Sequence, residues 1–71
     1  MKHTVYFKIT NALVKVQCED DDSLNTVFDD MRRVGADMIT AAEFNEENVL
    51  THLSINECTL SFIEKTDENN N

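Results

Sequence analysis

Thr4-Val5-Tyr6-Phe7-Lys8-Ile9, then Thr10-Asn11-Ala12, then Leu13-Val14-Lys15-Val16-Gln17-Cys18 is the stretch that decides the fold. Side chains along a strand alternate between its two faces. In 4–9, Val5, Phe7 and Ile9 fall on one face and Thr4, Tyr6 and Lys8 on the other. In 13–18, Val14, Val16 and Cys18 oppose Leu13, Lys15 and Gln17. Both runs are rich in β-branched and aromatic residues, which suit a pleated, half-buried surface. The intervening Thr10-Asn11-Ala12 reads as a short turn in which Asn11 tolerates positive φ. The expected unit is a β-hairpin. If Ile9 pairs with Ala12, then Val5 faces Val16, Phe7 faces Val14 and His3 faces Cys18. A slip of one residue would turn the apolar face to water.

Downstream, Glu19-Asp20-Asp21-Asp22-Ser23 closes the hairpin and opens a helix. Ser23 is a suitable N-cap, and the acids sit at the positive end of the helix dipole. Leu24, Val27, Phe28 and Met31 then recur at i, i+3, i+4 and i+7, a single apolar stripe. Arg32 and Arg33 occupy the last turn and Gly35 is a natural residue just past the end. The spacing predicts a helix over about 23–34. Its outer face carries Asn25, Thr26, Asp29, Asp30 and Arg33.

The remainder reads as three further strands. Met38–Phe44 is expected as a strand with Met38, Thr40, Ala42 and Phe44 on one face, although Ala41, Ala42 and Glu43 would also suit a short helix. Asn45-Glu46-Glu47-Asn48 is a polar turn. Val49–Ile55 alternates again, Asn56-Glu57 interrupts it, and Thr59–Glu64 is the last strand. The expected fold class is α+β, with elements in the order ββαβββ and one amphipathic helix packed on one face of a small antiparallel sheet. Residues 1–64 form a single domain. The tail 65–71 has no apolar residue and is expected to be disordered. On the sheet face away from the helix, Tyr6 and Leu13 are expected to form an exposed apolar patch, joined by Leu50 or Ile63 if these share it.

Length and composition narrow the function. A chain of 71 residues is one small domain. Its single glycine excludes the dinucleotide fingerprint, the P-loop and the nucleophile elbow. The net charge is −8. Residues 1–18 carry Lys2, Lys8 and Lys15 and no acid, whereas 19–71 carry all fourteen acids against Arg32, Arg33 and Lys65. This balance disfavours nucleic acid and anionic membrane as direct partners. A nucleic-acid role on the basic hairpin, through Lys2, Lys8, Lys15 and Tyr6, is a thin footprint. No apolar run approaches a membrane span and the first residues do not read as a signal peptide. With only two cysteines, a reducing cytoplasm is the default setting.

Residues with chemistry do not assemble into a motif. His3, Cys18, His52 and Cys58 lack the close ligand pairs of structural zinc sites, and the acidic run fails the calcium-loop pattern. A Cys18–Cys58 disulfide is conceivable. Asp29 and Asp30 lie on the outer helix face, and Ser23, Ser54 and Ser61 have no catalytic motif around them. No catalytic residue, metal or cofactor is expected, and a domain of this size is expected to lack the volume for a substrate pocket of several hundred Å³.

The expectation is a cytoplasmic, non-enzymatic protein-binding module. Its interface is the acidic set Glu19, Asp20, Asp21, Asp22, Asp29 and Asp30, docked on a basic surface of a protein partner. Carboxylates along a helix can imitate phosphate charge, so the target could be a nucleic-acid-handling enzyme. In size and charge the chain resembles small acidic phage proteins that inhibit host factors. The alternative is a structural or assembly protein that forms a homo-oligomer through sheet edges or the Tyr6/Leu13 face.

Overall fold

The structure is a computed structural model that describes residues 3–64; the tail over 65–71 lies outside the described residues. Five strands and one helix follow in order: β1 His3–Ile9, β2 Ala12–Cys18, α1 Asp21–Arg33, β3 Asp37–Met38, β4 Thr51–Ile55 and β5 Cys58–Glu64. All strand pairs are antiparallel, and the sheet order is β3-β1-β2-β5-β4.

The hairpin takes the expected register. Val5 pairs with Val16, Phe7 with Val14, Ile9 with Ala12 and His3 with Cys18. Positive φ falls on Thr10, at 51°, rather than on Asn11. The β4–β5 turn repeats the device with Asn56 at 54°. A two-residue hairpin loop with its first residue at positive φ matches the right-handed strand twist.

Helix α1 begins earlier than the sequence suggests. Asp20, not Ser23, is the N-cap: its backbone is extended and its carboxylate accepts the Ser23 amide at 2.8 Å. Ser23 therefore sits at the third helical position and contributes an orphan N–H, which a charged acceptor satisfies better than a hydroxyl would. At the other end, Ala36 N–H donates to the Met31 carbonyl and Gly35 N–H to the Arg32 carbonyl. With Gly35 at φ 81°, this is a Schellman closure.

The stretch after Gly35 departs most from expectation. Only Asp37–Met38 forms a strand, against Lys8 and Phe7, with one further bond from the Ile39 amide to the Tyr6 carbonyl at 3.0 Å. Residues 39–50 leave the edge as two 3-10 turns, Ala41–Glu43 and Glu46–Asn48, so Met38–Phe44 is not a strand. The strand β3 lies at one edge of the sheet and β4 at the other. The connecting chain must therefore cross a sheet face, and a strand over 38–44 would have carried it along the edge instead. The crossing drives Phe44 onto Leu13 and Ile63, with Tyr6, Ile39 and Val49 packed around them. Leu13 is 3% exposed. The expected Tyr6/Leu13 patch is thus covered by the protein's own chain.

On the opposite face, α1 packs on Phe7, Val14, Val16, Cys18, Cys58 and Leu60 through Leu24, Val27, Phe28 and Met31. Strand β5, an interior strand beside the central β2, is covered on both sides, which is why Leu60 and Phe62, on one face, and Ser61 and Ile63, on the other, are all buried or half-buried.

Candidate protein-docking face

The register of β2 with β5 sets Cys18 directly against Cys58. The Glu19 amide donates to the Glu57 carbonyl at 3.0 Å, so the adjoining cysteine position is the non-hydrogen-bonded pair, where side chains stand closest. The two are joined as a disulfide with Cα atoms 4.1 Å apart. Both are buried, and neither thiol is left for a metal. Closing a separation of 40 residues is worth about 4 kcal/mol in the chain-entropy account. Among the described residues, no cluster of three His, Cys, Asp or Glu side chains could hold a metal ion.

The expected acidic set is placed along one helix and its entrance. Glu19, Asp20, Asp21, Asp22, Asp29 and Asp30 are all exposed. Asp20 is partly a structural residue, as the N-cap. The Ser23 amide, then the Ser23 hydroxyl, hold its carboxyl below the usual value. Asp21 approaches His3 Nδ1 at 3.3 Å, and Asp30 pairs with Arg33 at 3.5 Å across one helical turn. Exposed pairs of this kind contribute little to stability, so the carboxylates remain accessible to a partner's cations.

Beside the acids lies a feature that the sequence reading missed. Helix α1 lies nearest β1 and β2 and its apolar side chains reach Cys58 and Leu60 of β5, which leaves β4 and the adjoining margin of β5 open on the same face. The result is a groove of about 470 Å³, which corrects the expectation that so small a domain has no room for one: the space lies at the surface between helix and sheet edge rather than inside the core. One wall is the helix side Ser23, Thr26, Val27, Asp30, Met31 and Val34; the other is formed by Ile55, Leu60 and Phe62 of the β4–β5 hairpin. Leu53 pairs with Leu60 and extends the same apolar face. Leu53 and Ile55 are each 47% exposed and Val34 64%. A signal was present in the alternation of Val49–Ile55, but only the strand order reveals that nothing in residues 3–64 covers it.

A second hollow, about 280 Å³, lies on the far face between Lys15, Gln17, Glu46, Val49, His52, Thr59 and Ser61. There Ser61 Oγ and His52 Nδ1 are 3.0 Å apart, as register partners on neighbouring strands. The pairing satisfies a buried hydroxyl. The nearby Glu46 carboxylate is engaged by the Lys15 ammonium. Lys15 is thereby withdrawn from the basic hairpin footprint, and Tyr6 packs its ring on Phe44 at 5.7 Å.

No helix among the described residues is long and apolar enough to cross a membrane. Comparison of the chain with known protein families, with characterised proteins and with solved structures gives no match.

Proposed function

We propose that this chain is a non-enzymatic protein-binding module that docks its acidic helix on a basic surface of a partner, as an inhibitor or regulator of a nucleic-acid-handling enzyme would. The observation that carries the reading is the placement of six exposed acids along α1 and its entrance, one of which, Asp30, lines an open apolar groove. Surrounding charge gives steering and selectivity, and an apolar centre gives affinity. The cytoplasm remains the proposed setting, although a buried disulfide is uncommon there.

The test is affinity capture from a cell lysate at low and high salt, with wild type and with Asp22→Lys/Asp29→Lys as baits. Asp20 is left intact because it caps the helix. A retained partner that is lost both on charge reversal and at high salt is the expected result. An unchanged set of retained proteins in all conditions overturns the acidic-helix reading.

A second reading, self-assembly through a sheet edge, is favoured by β4, whose five residues are all exposed at the end of the sheet. It requires a dimer on a sizing column. A monomer at millimolar concentration removes it.

A further inference from the structure

The open groove runs along α1 from Ser23 to Val34. Four long strands, β1, β2, β5 and β4, span ~19 Å at the usual strand spacing, whereas one helix with its side chains is about 10 Å across. Helix α1 packs over β1, β2 and the Cys58–Leu60 stretch of β5, and leaves the edge strand β4, exposed at all five residues, without a cover. The wall from Ser23 to Val34 runs ~17 Å along α1 at the helical rise per residue, about three turns.

Charge defines the chemistry of the occupant. On the α1 side of the sheet stand His3, Val5, Phe7 and Ile9, then Ala12, Val14, Val16 and Cys18, then Thr51, Leu53 and Ile55, then Cys58, Leu60, Phe62 and Glu64. None of these is Lys or Arg. Lys8 and Lys15 both project from the other face. Asp30 lines the groove, Glu64 stands at one end, and Glu57 follows the lining residue Asn56 at the other. Arg33, 3.5 Å from Asp30, offsets that carboxylate, so the net negative charge of the rim rests on Glu57 and Glu64. A second copy of this chain, at a net charge of −8, would bring like charge to this rim.

We propose that the groove between α1 and the β4–β5 hairpin receives an amphipathic helix of about three turns from a partner protein. That helix presents an apolar stripe to Val27, Met31, Ile55, Leu60 and Phe62, with Lys or Arg on its flanks facing Glu57 and Glu64. This is helix-in-groove recognition, with anchors at i, i+3, i+4 and i+7. The proposal rests on the protein-docking reading and specifies the partner's recognition element.

The experiment is an NMR titration of the isotope-labelled protein with three synthetic 14-residue peptides. One is built of Leu and Lys with leucines at helical spacing. The second is a scramble of the same composition, and the third keeps the pattern with Glu in place of Lys. The expected result is that the patterned Leu/Lys peptide shifts the signals of Val27, Met31, Ile55 and Leu60. It should bind at least tenfold more tightly than either control and lose about tenfold on Ile55→Ser, a change at a half-exposed site that leaves the spectrum folded. Equal binding of patterned and scrambled Leu/Lys peptides, with shifts confined to the acids of 19–30, overturns the groove but leaves the acidic-helix reading standing. Equal binding of the Glu peptide overturns the charge assignment. Shifts confined to the amides of β4 indicate strand addition and overturn the helix. Concentration-dependent shifts at the groove in the free protein assign it to a second copy and overturn the proposal, as does the absence of binding by all three peptides. Failure here with salt-sensitive, charge-dependent capture from lysate separates this proposal from the broader reading.

Discussion

The two faces of one sheet are closed by different means. A regular helix packs over β1, β2 and the Cys58–Leu60 stretch of β5 and leaves the edge strand β4 bare, because its width is fixed by backbone geometry. The irregular segment 39–50 is free to follow the other face, and it places Phe44 over Leu13 and Ile63 near the middle of the sheet. The helix face thus keeps an apolar groove. The far face buries its apolar residues and leaves Lys15, Gln17, Thr59, Ser61 and His52 around a polar hollow. The difference teaches that a covering element is judged by which strands it reaches, and that a half-roofed sheet is where binding surface remains.

Two leucines, one per face, provide the sharpest way to break this comparison. Leu13 is 3% exposed on the sealed face and Leu53 47% exposed on the open one. Leu13→Lys would bury an unpaired charge, a loss of about 5 kcal/mol or more, comparable to the whole stability of a small domain. Circular dichroism should show an unfolded chain at 25 °C. Leu53→Lys should change stability by only about 0.5 kcal/mol. A cooperative, near-native melt for Leu13→Lys would mean that segment 39–50 does not seal the far face.

Reduction of the Cys18–Cys58 disulfide is expected to cost about 4 kcal/mol, visible as a lower urea midpoint in the presence of a dithiol reductant. An unchanged midpoint would show that the bond does not form. Alkylation and mass spectrometry of the protein taken directly from cells would then report its state in its own compartment.

Phe44→Ala should cost about 3 kcal/mol, because the ring is 5% exposed and little else is positioned to fill its space. Its effect should appear in hydrogen exchange at Leu13 and Ile63 before it appears in α1. Equal loss of protection on both faces would mean that the two covers act as one unit.

The smallest effect concerns the helix cap. The carboxyl of Asp20 is held below its ordinary value by the Ser23 amide. A carboxyl with a depressed folded-state pKa contributes stability that is present above its unfolded pKa and lost as pH falls through the folded one. Stability should therefore decline below the usual carboxylate range, and Asp20→Asn should flatten that decline slightly while the neutral amide still caps the helix. An identical acid limb in wild type and variant would remove Asp20 from the linkage.

Much of the fold is legible in the sequence because its signals are local. Period two over 4–9 and 13–18 specifies the hairpin and its register, since a slip of one residue exposes Phe7 and Val14. The stripe Leu24, Val27, Phe28 and Met31 specifies the helix, and Gly35 its end. The acids of 19–22, 29 and 30 are exposed for the same local reason, as they lie off that stripe. Residues 38–44 mislead because Met38, Thr40, Ala42 and Phe44 alternate by chance, while the segment's path depends on which edges β3 and β4 occupy. Leu13 misleads likewise: alternation assigns its face but cannot say what covers that face.

The sequence by itself therefore determined the hairpin, the helix, the last two strands and the polarity of the surface, because each depends on residues a few positions apart. Only the tertiary structure decided the strand order, the meeting of Cys18 with Cys58, the burial of Leu13 beneath Phe44 and the open groove beside α1. Those four follow from the pairing of β2 with β5, two strands some forty residues apart, and no local period encodes such a contact.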